Sequence, residues 1–301
     1  MPDAGIYYLM MEGYNKYMTR FAPSVEALRR YDGSRPLIAS HKGRNCGLVA
    51  ESTRRAFNLA LRDGADIIET DVSLTKGGEM ILMHGPNLDR YTDQTGPICE
   101  RTIEEIRLMH NRSCNGCVPD HQILELPDFL GQYKGQCLIN LDRCFFFLPE
   151  AWAQVCRYGM EDQAILKSGK NLPETFAWLR SEGFRPQFMP IVDNDPEALA
   201  FVLETAAEAK YPAVELVFDS DEDPMIAPET IRRLHELGVK VWVNALTLAR
   251  PLCGGHDDIC SLFDDPDKGW GWLCDHGVDV IQTDFVHELK EYLDGRFGPR
   301  E

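Results

Sequence analysis

The chain is poor in positive charge: 31 lysines and arginines stand against 48 aspartates and glutamates in 301 residues, a formal charge of −17. No basic run gathers those 31 residues, so the surface would repel a phosphate backbone and nucleic acid is not expected as a partner. Also missing is any uninterrupted apolar stretch near the roughly 20 residues that a bilayer span requires, so no integral membrane segment is expected. The first residues have no lysine or arginine before Lys16 and are broken by Glu12, which is not the pattern of a secretory signal. Fixed-period repeats and low-complexity tracts are absent too, which removes solenoids and propellers. Ten cysteines without an export pattern read as reduced thiols, and the cytoplasm is the expected compartment.

What is present is a recurring unit. Short apolar runs of strand length, each ending in a polar residue, alternate with stretches of helical periodicity, the pattern of parallel strands buried on both faces. The runs are 37–41, 67–71, 80–84, 138–142, 164–167, 188–191, 213–217, 239–244 and 278–284. Helices are predicted over 53–62, 149–158, 173–181, 196–210 and 228–237. Several open on proline, which lacks a donor the first turn cannot use, and several stop before glycine, which accepts the left-handed cap. The expected fold is a TIM-type (β/α)8 barrel with one strand to spare. One crossover, Val72 to Glu79, is too short for a helix; its Lys76-Gly77-Gly78 turn leaves open whether the flanking strands are parallel or form a hairpin. Residues 1–34 read as an N-terminal helical extension, and about 85–135 as a loop-rich insertion in a barrel running from 35 to 301.

In such a barrel the strand C-termini converge on one mouth. His41, Glu69, Asp71, His84, Asp142, Lys167, Glu215, Asn244 and Asp284 all end strand runs. Glu69 and Asp71, two apart, share a strand face and can chelate together. Carboxylates without thiols favour one hard divalent cation, Mg2+ or Ca2+. Two histidines near such an ion supply an acid and a base around neutral pH, and Lys167 suits an anionic substrate. Metal, two imidazoles and a lysine point to phosphoryl chemistry.

The motifs His41-Lys42-Gly43, Glu51-Ser52-Thr53, Glu69-Thr70-Asp71-Val72 with Leu74-Thr75-Lys76, and His84 followed by Leu88-Asp89-Arg90-Tyr91-Thr92 closely resemble, in order and spacing, the glycerophosphodiester phosphodiesterase family. The segments ending at Asp142, Lys167, Asn244 and Asp284 look like one branch of it, and the resemblance covers about residues 37 to 294. It implies that His41 and His84 are the acid/base pair, that Glu69 and Asp71 bind the metal with Asp142 as third carboxylate, and that Lys167 holds the phosphate. The implied reaction is metal-dependent hydrolysis of glycerophosphodiesters to glycerol phosphate and an alcohol, through a cyclic phosphate formed by a neighbouring hydroxyl. A lyase that stops at the cyclic phosphate and a catalytically silent phosphodiester-binding protein are the alternatives.

The chain departs from the family pattern at Lys42 in place of arginine, Ser52 in place of asparagine, Ala50 in place of proline and Gly85 in place of aspartate. Lys42 loses a bidentate fork, for which Arg44 is the candidate replacement. Glu215, Trp242 and Asn244 are candidate substrate contacts, with barrel filling the alternative for Trp242. An internal ion pair with lysine or arginine is the alternative for Glu69 and Asp71. His110, His121, His235, His256, His276 and His287 read as structural. Cys114 and Cys117 read as free thiols rather than a zinc or disulfide pair. Asp257-Asp258 and Asp264-Asp265 with Asp267 read as solvated loop carboxylates, and Phe145-Phe146-Phe147-Leu148 as core or lid.

Overall fold

The computed structural model describes residues 21–118 and 122–300. Eight strands pair in parallel: β1 (Leu37–His41), β2 (Ile67–Leu74), β4 (Leu138–Asp142), β5 (Ala164–Ser168), β6 (Phe188–Asp193), β7 (Ala213–Val217), β8 (Lys240–Asn244) and β9 (Val280–Thr283). β9 returns to β1, Leu37 opposite Val280, and closes the TIM-type barrel. The spare strand is β3 (Met80–Leu82), which pairs antiparallel with the outer end of β2, Val72 opposite Leu82. The short crossover is therefore a hairpin, because a parallel return needs about a dozen residues or more.

The helices follow the capping logic of the sequence. α2 (Arg54–Asp63) opens where Thr53 Oγ1 accepts from the Ala56 amide, and stops at Gly64 with φ of 110°. α5 (Leu148–Arg157), α6 (Leu172–Ser181), α7 (Pro196–Ala209) and α8 (Pro228–Glu236) each carry proline in the first turn, where a missing amide costs nothing. α9 (Trp270–Asp275) and α10 (Val286–Phe297) complete the outer ring.

Inside the barrel, alternation along each strand sorts side chains into layers. Leu37, Ala39, Ile67, Leu138, Ile165, Met189, Ala213, Trp242 and Val280 form the lower, apolar part of the lumen. Val25 and Leu28 of α1 (Val25–Arg30) join that same cluster. The part of the N-terminal extension that is described thus plugs the end of the barrel away from the strand C-termini; the expectation for residues 1–20 falls outside the described residues. Two residues further along their strands, Glu69, Asn140, Lys167, Glu215, Asn244 and Gln282 form a buried polar layer.

The insertion after His84 is loop-rich but not loose. It carries α3 (Ile103–Ile106), with a Thr102/Glu105 capping box, and α4 (Leu126–Tyr133). Leu88, Ile98, Ile103, Ile106, Met109 and Ile123 pack with Ile81 and Met83 into an apolar cluster separate from the barrel core, with Tyr91 against its edge.

Because Leu28 is fully buried in the plug, Leu28→Ala should destabilise the fold by about 2–4 kcal/mol through lost burial and a residual cavity. Urea unfolding should register this as a lower midpoint with an unchanged slope.

Candidate active site

β1, β2 and β4 lie side by side, with His41 opposite Glu69 and Asp71 opposite Asp142 in the pairing register. Glu69, Asp71 and Asp142 each bring a carboxylate oxygen within 4.8 Å of the others, the arrangement of a possible metal site. Glu69 and Asp71 are 1% and 2% exposed. Glu69 Oε2 and Asp71 Oδ2 are buried without a hydrogen-bond partner. A buried carboxylate oxygen without a hydrogen bond costs free energy unless a cation or donor meets it; Lys42 Nζ, 3.5 Å from Asp71 Oδ2, does so in part, and the three-carboxylate donor set fits a hard divalent ion in charge and chemistry. Burial pushes the Glu69 carboxyl up to about 7; the Asp71 and Asp142 charges add to this, and the Lys167 ammonium opposes it. Asp71 is instead held below the usual carboxylate range, because Lys42, His84, His41 and Arg143 together outweigh its burial.

The two histidines have opposite surroundings. His41 Nδ1 lies 2.8 Å from Asp284 Oδ1; a carboxylate only accepts, so this nitrogen carries the hydrogen. Burial alone would lower the His41 pKa, but the hydrogen bond to Asp284 and the Glu69 and Asp284 charges raise it. His84 Nε2 lies 2.7 Å from Arg143 Nη2; a guanidinium only donates, so this nitrogen accepts and the ring is neutral. Its Nδ1–H then points to the Tyr91 hydroxyl at 2.9 Å. Burial, aided by the Lys42 and Arg143 charges and opposed by Asp71, depresses the His84 pKa to about 4.

The loop after β1 reaches this rim through left-handed backbone. Lys42 has φ of 57° and Ser52 of 53°, and the Ser52 amide donates to the Lys42 carbonyl at 2.9 Å. Ser52 Oγ accepts from Thr70 Oγ1 on β2, which ties the substituted position to the strand carrying the carboxylates. Gly43 is required: a Cβ there would stand 2.7 Å from the Ala56 carbonyl carbon of α2. Lys42 Nζ lies 3.5 Å from Asp71 Oδ2 and 3.4 Å from Glu51 Oε1. Gly85, with φ of 82°, adopts its left-handed conformation without the penalty an aspartate would incur there.

The other expected residues divide. Lys167 is 1% exposed and has carboxylate partners: Glu215 Oε2 at 3.0 Å, Asp142 Oδ2 at 3.1 Å and Glu69 Oε1 at 3.9 Å. Asn244 Nδ2 donates to Glu215 Oε1 at 2.9 Å. Trp242 is fully buried in the lower layer, its Nε1–H shared between Asn244 and Gln282; the ring fills the barrel. Arg44 is drawn along α2, with Nη1 2.5 Å from Asp63 Oδ2 at the helix end, so the structure does not bring its fork to the carboxylates.

The cation beside them is Arg143, which the sequence reading passed over. Arg143 sits in left-handed backbone just after β4, and its guanidinium spans Asp71 Oδ1, at 3.1 Å, and His84. The only signal for it was a basic residue following a strand-end aspartate. Tyr91 and Asp284 stood in quoted motifs without being assigned a role.

One expectation is corrected. Asp258 is not a solvated loop carboxylate but is 1% exposed, because three donors converge on it from Thr283, Trp270 and Asp284. The phenylalanine run splits, with Phe146 80% exposed and Phe147 buried. All ten cysteines are free thiols, Cys114 and Cys117 exposed. No helix among the described residues is long and apolar enough to cross a membrane.

Residues 38–142 match the family described as glycerophosphoryl diester phosphodiesterase, and residues 188–293 match a domain of unknown function. A glycerophosphodiester phosphodiesterase of Caldanaerobacter subterraneus subsp. tengcongensis is 41% identical over 71 residues, 24% of this chain and 29% of that one. Human glycerophosphodiester phosphodiesterase 1 is 34% identical over 85 residues, 27% of this chain and 26% of that one. The matched stretch thus spans less than a third of either relative's length. A crystal structure of a glycerophosphoryl diester phosphodiesterase from Parabacteroides distasonis superposes with a TM-score of 0.74 at 18% identity, covering 93% of this chain and 94% of that one. An Oleispira antarctica phosphodiesterase, solved with the product sn-glycerol-3-phosphate, superposes with a TM-score of 0.63 at 17% identity, over 86% of this chain and 97% of that one. At these identities the two superpositions establish the fold.

The carboxylate cluster predicts a thermal readout. Mg2+ or Ca2+ at 100 times its Kd should stabilise the chain by about 2.7 kcal/mol, seen as a rise in Tm. Glu69→Gln should abolish the rise while leaving the metal-free Tm at or above that of the parent, since it removes a buried, under-paired charge.

Proposed function

We propose that the chain, whose residues 38–142 match the glycerophosphoryl diester phosphodiesterase family, is a member of that family and hydrolyses glycerophosphodiesters to glycerol phosphate and an alcohol at the rim of β1, β2 and β4. The observation that carries this reading is the pair of imidazoles with opposite proton bias around one carboxylate cluster. Arg143 joins His84 to Asp71, and His41 stands opposite Glu69 in the strand register, so both rings address a common centre.

Glu69, Asp71 and Asp142 would hold one divalent cation, which when bound supplies charge neutralisation at the phosphoryl oxygens. Arg143 and Lys42 are the cations facing that position, and Arg143, two-fifths exposed, is the one a phosphate can reach directly. Lys167 neutralises the carboxylate layer from beneath, fixing Asp142 and Glu215. In the first step His84, whose Nε2 lone pair is free of a proton, takes the proton of the substrate's neighbouring hydroxyl once the phosphate draws Arg143 away. His41, oriented by Asp284, gives its proton to the departing alcohol. The histidines exchange roles when water opens the cyclic phosphate.

This assignment has a leaving-group test. General acid–base groups contribute typically about 10²- to 10⁴-fold, so His41→Ala and His84→Ala should each lower turnover of glycerophosphocholine within that range. With a glycerol phosphodiester whose leaving group is a nitrophenol, which departs without protonation, His41→Ala should recover most of its loss and His84→Ala should not. Recovery by His84→Ala alone would reverse the roles, and equal recovery by both variants would void them. Release of glycerol phosphate from glycerophosphocholine, glycerophosphoethanolamine or glycerophosphoinositol should require Mg2+ or Ca2+ and stop with a chelator; cyclic phosphate as the sole product would mean a lyase.

A further inference from the structure

His41 depends on a carboxylate that is itself half exposed. The Asp284 side chain is 48% accessible, and it follows β9 on the rim, beyond the last ladder residue. A surface aspartate there would sample several rotamers and backbone positions, and would orient an imidazole poorly unless its main chain were fixed.

The fixing group is Asp258, from the connection between β8 and α9. Its amide donates to the Ala245 carbonyl at 2.7 Å, and Ala245 in turn donates to the Gln282 carbonyl at 2.8 Å, so the connection is moored to the ends of β8 and β9. The Asp258 carboxylate is then presented to three donors. Thr283 Oγ1 donates to Oδ1 at 2.8 Å, Trp270 Nε1 to Oδ1 at 2.9 Å, and the Asp284 amide to Oδ2 at 3.1 Å. Thr283 Oγ1 also accepts from the Phe285 amide at 2.9 Å. Residues 283, 284 and 285 are thereby all tied to one buried carboxylate, directly or through one hydroxyl. Every direct partner donates, so the pocket is written for an acceptor-only group. Ser261 holds the other side: its Oγ accepts from the Trp270 amide at 2.9 Å, and it packs so closely that a Cβ at Gly269 would fall 1.9 Å from it.

We propose that Asp258 is a positioning residue for His41: it clamps the main chain of Asp284 so that the Asp284 carboxylate stands against Nδ1. Asp258, Thr283 and Asp284 all lie within residues 188–293, the stretch that matches a domain of unknown function. Part of that stretch's work is then to orient an imidazole contributed by the other half of the barrel. The kinetic arm of the test rests on the function proposed above, whereas the spectroscopic arm does not.

The experiment uses the full chain and Asp258→Asn, read by proton NMR in the downfield region and by steady-state kinetics. The Nδ1–H of His41 should give a hydrogen-bonded resonance that disappears in His41→Ala and in Asp284→Ala. Asp258→Asn should lose or broaden the same resonance and lower kcat about ten- to a hundredfold, as expected for a misplaced catalytic group, with KM changed less than about twofold. Trp270→Phe removes a donor from the same carboxylate but leaves the Asp284 amide contact; it should lower Tm while keeping both the resonance and kcat. Should Asp258→Asn not fold, Thr283→Val, which removes the hydroxyl between Asp258 and Phe285, should weaken the resonance in its place. An unaltered resonance with parental kcat in Asp258→Asn, or an unaltered spectrum in Thr283→Val, overturns the proposal. A parent chain that turns over no glycerophosphodiester would sink the function, and the resonance would still decide the role of Asp258.

Discussion

One ammonium group underlies the whole rim. Lys167, sealed from solvent, stands among Glu215, Asp142 and Glu69, and without it the barrel would bury several carboxylates with no counter-charge. Isolated buried charges of that kind are expelled or neutralised rather than tolerated. The layer is braced from below: Asn244 donates to the second oxygen of Glu215, and the indole of Trp242 donates to Asn244. A chain of polar contacts therefore descends from the mouth into the apolar lumen, and the geometry at the top inherits its rigidity from the packing below.

That dependence explains how much was legible in the sequence. A parallel barrel compels alternate residues of every strand into one lumen, so a short apolar run ending in Glu, Asp, His or Lys announces both a strand and a position at the mouth. Glu69, Asp71, Asp142 and His41 could be read in this way. Even the surplus run at 80–84 was visible, although the short link to β2 left its direction open and only the pairing of Val72 with Leu82 shows it to be antiparallel.

What escaped was decided by backbone turns and by tertiary neighbours. Arg143 enters the site because a single left-handed residue reverses the chain after β4; an arginine is not a residue whose type advertises that conformation. Arg44, the expected substitute fork, is captured by Asp63 instead, a pairing between loop and helix end that no periodicity reveals. Asp258 looked like one of several loop acids, and only the convergence of donors from β9 and α9 distinguishes it from Asp257 beside it.

The insertion after β3 has a core of its own, and Tyr91 rests on its edge while its hydroxyl holds His84. The two imidazoles thus belong to bodies of different thermodynamic standing, one welded to the closed sheet, the other leaning on a small satellite with far less apolar burial. Such a satellite can open on its own, well below the free energy that unfolds the whole. Hydrogen exchange would register this as early deuteration between residues 85 and 118 while the strands stay protected, so the hold of Tyr91 on His84 would fail on warming before the barrel melts.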